Sequence, residues 1–295
     1  MEYSSRNAIQ VVAWVDAGTV ELVESCGPSV VSSGELVSRI RGHLSPEELA
    51  AAVSAGATCR RIMHDAFGHI RREVLADREI REYDVVSYIE SRLADEGLIT
   101  PYPPICSVDA NSADAHYQAS HESSAVISRG SFVLIDLWGR DPGAHGVFGD
   151  ITWTAFVGAD VPDRIATVFG HVRDAREAAL QVVVDRFERG EVVSGADADR
   201  AARTVIEEAG FGSFFVHRTG HSITGNLHGS GTNLDSFETI DSRPLLPSSS
   251  FSIEPGIYLP GEFGIRSEID VVITPTGEVI TTSAPAQRDV IALLR

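Results

Sequence analysis

Four carboxylates stand within apolar runs: Asp136 in SFVLIDLW, Asp150 in VFGDITWTAFVG, Glu254 in SFSIEPGIYLP and Glu268 in FGIRSEIDVVI. A carboxylate buried in an apolar strand costs several kcal/mol unless it is paired or bound to a metal. These strands contain no lysine, and only Arg266 lies close in sequence. Three histidines, His217, His221 and His228, occur in HRTGHSITGNLH. Any one alone is more often a satisfied polar residue of the fold than a ligand. With His221 added to the four carboxylates, the charges close: four negative charges meet two divalent cations, and a bridging hydroxide leaves one net negative charge. Oxygen-rich ligands with one imidazole suit Mn²⁺, Co²⁺, Fe²⁺ or Zn²⁺. Two such ions, ~3.5–4 Å apart, make a hydrolytic site.

The surrounding pattern says which elements must carry these residues. Residues 11 to 24, VVAWVDAGTVELVE, read as two short strands around a turn at Asp16, Ala17 and Gly18. A long helix opens with Ser45 as N-cap, Pro46 at its first position and Glu48 closing a capping box. A second helix, REYDVVSYIESRLADEG, ends at Gly97. Strand-like segments fill 100 to 157, two more helices follow Pro162, and strand-like segments resume from Phe214 to about Ile280. The order is helix pair, strands, helix pair, strands. It predicts an α+β fold of two similar halves, each a helix pair backing part of a sheet.

Composition narrows the partners. The 295 residues suffice for one large domain or two modest ones. A net charge of −18 repels phosphate backbones and excludes nucleic acid as a direct partner. Cys26, Cys59 and Cys106 are far apart and odd in number, which fits reduced thiols in a cytoplasmic protein. The N-terminus lacks the pattern of a signal peptide, and no apolar run approaches the ~20 residues of a membrane helix.

Taken in order, Asp136, Asp150, His221, Glu254 and Glu268 resemble the five metal ligands of the pita-bread metallopeptidase family, which includes methionine aminopeptidase, prolidase, aminopeptidase P and creatinase. The frames IDLW with GDIT, GH with a second histidine seven residues on, SIEPGIY and GIRSE match as well, over roughly residues 44 to 281. The resemblance implies the pita-bread fold, with two pseudo-symmetric halves, each a helix pair on a mostly antiparallel sheet. It implies two divalent metal ions per chain, Mn²⁺ first, and a metal-bridging hydroxide. Glu254 is then both ligand and proton shuttle. His116, in ANSADAHYQAS, takes the role of the histidine that stabilises the tetrahedral intermediate, and His228 that of the second substrate histidine. His217 points to the prolidase and aminopeptidase P branch, where such a histidine lines a proline pocket. A small peptide or amide substrate and a homodimer complete the expectation.

Some features depart from the family. GRDPGAHG lengthens the stretch between Asp136 and Asp150. Trp153, Thr224 and Gly229 replace the more usual arginine, glycine and acidic residue, and are expected on the substrate side. Residues 1–43 look like a remnant strand pair and linker ahead of a catalytic domain at 44–295, as though an N-terminal domain were truncated. These departures keep two alternatives open: the same metal chemistry on a small non-peptide amide or C–N bond, and a metal-free pita-bread binding module of the kind found in some histone-chaperone subunits.

Overall fold

The computed structural model describes residues 1–295, the side chain of Gln10 excepted. Short 3-10 turns at Ser5–Asn7 and Gln10–Val12 lead to helices α1 (Ala17–Ser25) and α2 (Gly34–Arg41). The two strands expected over 11 to 24 are therefore absent. Asp16, read as part of a turn, is a helix N-cap whose side chain accepts from the Thr19 N–H, so Ala17 and Gly18 become the first helical residues. α2 rests on the second half of the molecule through buried Val37 and Ser38, the latter accepting from Arg243 Nη1 at 2.8 Å.

α3 (Pro46–Leu75) starts at the Ser45–Glu48 capping box read in the sequence. Its buried residues Leu49, Ala52, Cys59, Ile62, Met63, Ala66, Phe67 and Ile70 recur at helical spacing. α4 (Glu82–Asp95) packs beside it, and the chain leaves through Gly97 with φ +75. Then come β1 (Ile105–Val108), β2 (Phe132–Gly139) and β3 (Gly149–Phe156), paired antiparallel in that order. α5 (Asp163–Arg189) and α6 (Gly195–Glu208) form the second helix pair. They back a sheet of β4 (Ser222–Ile223), β5 (Ser249–Ile253), β8 (Ile269–Ile273) and β9 (Val279–Thr281), with a β6 (Gly256–Leu259) and β7 (Phe263–Arg266) hairpin between. β10 (Ile291–Ala292) returns to pair parallel with β3. This is the expected α+β architecture of two helix-backed halves, mostly antiparallel.

Strand alternation decides what faces the interior between the halves. Val133, Ile135 and Leu137 of β2 and Ile151, Trp153 and Ala155 of β3 pack with Ile62, Met63, Phe67 and Ile89 of α3 and α4. Each fully buried side chain of this size contributes about 1.5–3 kcal/mol. The opposite parity carries Phe132, Leu134 and Trp138 into the second core, with Val172, Ala179 and Ile206 of the other helix pair. Asp136 and Asp150 share that inward parity, which is why two apolar strands each deliver one carboxylate to the centre. Trp153 does not. It packs edge-to-face on His64 of α3 at 4.9 Å, so the expectation that it lies on the substrate side is corrected by one residue of register.

Candidate metal centre and substrate cavity

The two inward strands and the β5–β8 segment meet around a cavity of about 920 Å³. The five candidate ligands Asp136, Asp150, His221, Glu254 and Glu268 all line it, and with them the three candidate substrate histidines His116, His217 and His228. Asp136 and Asp150 come from the interiors of β2 and β3. Glu254 and Glu268 were read as strand residues, but each sits at a junction, Glu254 between β5 and β6 and Glu268 between β7 and β8. Leaving the ladder frees these side chains from strict alternation. His221 immediately precedes β4.

Asp150, His221 and Glu268 each offer a donor atom within 4.8 Å of the others. His221 Nδ1 faces the Ser222 carbonyl at 3.3 Å, which can only accept, so the ring proton belongs on Nδ1. Its Nε2 lone pair is left 3.8 Å from Asp150 Oδ2 and 3.4 Å from Glu254 Oε1. Burial pushes His221 down to about 3 and His228 down to about 4, so both rings are neutral at physiological pH. Asp136 Oδ1, Asp150 Oδ1 and Glu268 Oε1 are buried without a hydrogen-bond partner. Buried carboxylate oxygens with nothing to accept from are expensive. Orphaned oxygens and a neutral imidazole aimed at them are what a cation would satisfy, and the donor set fits an oxygen-rich divalent site.

One counter-charge absent from the sequence arithmetic is in place. Arg266 is buried and forms an ion pair with Asp136, while its Nε donates to Thr152 Oγ1 at 3.1 Å. Its Nη1 donates to the Tyr258 hydroxyl at 3.1 Å. Tyr258 O–H in turn donates to His217 Nε2 at 2.7 Å, because His217 Nδ1–H is given to the Arg218 carbonyl at 2.7 Å. His217 therefore lines the cavity with both ring nitrogens engaged. It does not lie on a strand from Phe214 as expected: that segment is a 3-10 turn followed by irregular chain.

Three positioning carboxylates carried no sequence signal, since their partners are distant in the chain. Asp270 Oδ2 accepts the Asp150 N–H at 2.6 Å, and Cys59 Sγ donates to the Gly149 carbonyl at 3.4 Å. These grip both sides of the one peptide unit that precedes the Asp150 side chain. Glycine is required there, as a Cβ on Gly149 would lie 2.5 Å from the Ala55 carbonyl carbon of α3. Glu82, fully buried at the start of α4, accepts from Val108 N (2.8 Å), Asn111 Nδ2 (3.0 Å), Tyr117 OH (2.7 Å) and Ala125 N (2.7 Å), which fixes the loop bearing His116. Asp199 of α6 does the same for the segment before His221, accepting from Thr219 N at 2.9 Å and Thr219 Oγ1 at 2.6 Å. Of the other departures, neither Thr224 nor Gly229 lines the cavity; Gly225, Asn226 and Leu227 do.

Burial and neighbouring carboxylates push Asp150, Glu268 and Asp270 well above the usual carboxylate range. A raised folded-state value means stability is lost as pH rises above the unfolded value, about 4. The buried histidines have depressed values and act oppositely, but only below their unfolded value of about 6.5. Above that only the carboxylates remain. Chelator-stripped protein is thus expected to lose thermal stability relative to protein resupplied with a divalent cation as pH rises above about 4, since the cation takes the place of the protons. Thermal unfolding of both forms as a function of pH checks it; a difference between the two forms that shrinks as pH rises contradicts it.

The two helix-backed halves closing on a central cavity constitute the pita-bread fold. The chain belongs to metallopeptidase family M24, whose model matches residues 50–275. It is 29% identical over 265 residues to the probable dipeptidase PepE of Mycobacterium tuberculosis, covering 90% of this chain and 64% of that one. It is 27% identical over 241 residues to an Xaa-Pro dipeptidase of Lactobacillus helveticus, covering 82% and 60%. Among solved structures it resembles dipeptidase PepE from Mycobacterium ulcerans with TM-score 0.75 and 26% identity over 95% of this chain and 69% of that one. An X-Pro aminopeptidase from Thermotoga maritima gives TM-score 0.71 and 26% identity over 94% and 73%. The chain spans less than two thirds of the length of these curated relatives. Among the described residues no helix is long and apolar enough to cross a membrane.

Proposed function

We propose that the chain is a dinuclear metal-dependent hydrolase of an amide bond, acting as an Xaa-Pro dipeptidase or aminopeptidase. The observation that carries this reading is the convergence of Asp136, Asp150, His221, Glu254 and Glu268 on one cavity, with buried oxygens that nothing in the protein satisfies. These five would hold two divalent cations, Mn²⁺ first, with Co²⁺, Zn²⁺ or Fe²⁺ as the other candidates. When bound, the cations supply Lewis acidity, bringing the pKa of water toward neutrality and polarising the scissile carbonyl. Glu254 takes the proton of the attacking water and returns it to the leaving nitrogen. His116 and His228 donate toward the developing oxyanion. His217, tied through Tyr258 to Arg266, shapes the side of the cavity that receives proline. An Xaa-Pro bond has no N–H to offer, so its recognition rests on shape. On the same reading residues 44–295 are the catalytic domain, and the protein is a homodimer in the cytoplasm.

Metal analysis after resupply with Mn²⁺, followed by turnover of Xaa-Pro and Xaa-Ala peptides, tests it. Two metal ions per chain and a preference for proline after the cleaved bond are expected. Absence of metal at the site overturns the hydrolase reading. Metal without cleavage of any Xaa-Pro peptide transfers the chemistry to a small non-peptide amide.

A further inference from the structure

Arg266 is not the only guanidinium facing the cavity: Arg140 and Arg218 line it as well. All 24 basic residues of the chain are arginine, among 42 acidic ones, so a cavity arginine with no acid beside it stands out. Arg140 has none within 4.0 Å among the described residues. Its Nη1 donates to a backbone carbonyl, Asp141 O, at 2.8 Å, and its Cζ lies 5.5 Å from the centre of the Phe148 ring, another cavity residue. Nε and Nη2 are uncommitted. The backbone of Arg140 is fixed by two hydrogen bonds to Ile99, 3.0 Å from Arg140 N to Ile99 O and 2.8 Å in the reverse sense. Arg218 approaches from the other half, with Nη1 3.8 Å from Glu238 Oε2, a loose pairing at partly exposed positions. Planar guanidinium forks are matched to carboxylates, which they bind bidentately.

We infer that Arg140, with Arg218 across the cavity, is a specificity-determining anchor for a carboxylate carried by the substrate away from the cleaved bond. This deepens the amide-hydrolase reading and rests on it. The spacing sets the length. Asp136 and Arg140 are four residues apart along β2 and its extension, about 13 Å at the usual strand rise. That distance is the span of about four extended residues. The substrate class is therefore a short peptide beyond the dipeptide, with its carboxylate either at the C-terminus or on an acidic side chain.

The test compares Ala-Pro-Ala-Ala with its C-terminal amide, and the amidated tetrapeptides Ala-Pro-Ala-Glu and Ala-Pro-Ala-Gln, on Mn²⁺-supplied wild-type protein, Arg140→Ala and Arg140→Lys. Wild type is expected to favour a carboxylate form by roughly tenfold or more in kcat/KM, carried by KM. The first peptide pair reports a terminal carboxylate and the second a side-chain one. Arg140→Ala removes the preference, and Arg140→Lys recovers part of it. Equal losses on carboxylate and amide forms, or an undiminished preference in Arg140→Ala, overturn the inference. If wild type cleaves none of the peptides, the Xaa-Pro peptidase reading fails on its own. Calorimetric binding of the same pairs then decides the anchor: a preference for the acid lost in Arg140→Ala supports it, and equal binding overturns it.

Discussion

Glu254→Gln is expected to lower turnover of an Xaa-Pro peptide by about 10³-fold, within the range proton transfer contributes, while leaving the fold intact. Glu254 faces the cavity, with Oε1 3.4 Å from His221 Nε2 and accepting from Ser252 Oγ at 3.1 Å. Its backbone is held independently, N–H to the Thr219 carbonyl at 2.7 Å. The amide keeps the size and the bond from Ser252, but it cannot take up a proton and binds a cation more weakly. Saturating kcat, far-ultraviolet circular dichroism and metal content, measured together, separate these effects. Turnover within tenfold of wild type would remove Glu254 from the proton path.

Asp199→Ala is expected to be the most destabilising single change away from the cavity, by about 3–5 kcal/mol, the usual cost of stranding one partner of a buried ion pair. Asp199 is fully buried and pairs with Arg203 at 3.2 Å, whose guanidinium also reaches the carbonyls of Phe215 (3.1 Å) and His217 (2.8 Å). It also accepts from the backbone N–H groups of Thr219 and Ser236. Alanine strips the partly buried Arg203 of its counter-charge and leaves several buried donors unsatisfied at once. A fall in melting temperature of roughly 10 °C follows for a domain of this size. Asp199→Asn should recover part of it, as its carbonyl oxygen can still accept. A fall in Asp199→Ala of under 2 °C would contradict this account.

These contrasts show what was legible in the sequence. Asp136 and Asp150 were readable because a charge at one parity of an apolar strand has few explanations. The Ser45–Glu48 start of α3 was readable because a capping box is local. Asp199, Glu82 and Asp270 were not, because their partners lie far along the chain or, as with Asp199 and Thr219, across a turn between unlike elements. Asp16 misled because an aspartate before Ala-Gly suits a turn and an N-cap equally well. Trp153 misled because a family position was carried over without its strand parity, which turns the ring toward α3. Arg266 neutralises part of Asp136 from the far end of the chain, a pairing that its place beside Glu268 in the sequence does not disclose.

The grip on the Gly149–Asp150 peptide has a kinetic side. Cys59, which donates to that peptide, is buried, and so is Cys106, which stands opposite Ile135 on the strand beside Asp136; Cys26 alone is exposed. A thiol reagent thus meets one cysteine at once, and the other two only when α3 parts from the Asp150 strand or β1 from the Asp136 strand. The slow phases of labelling become a clock for those openings, one hand on each strand, readable in the folded protein without any substrate.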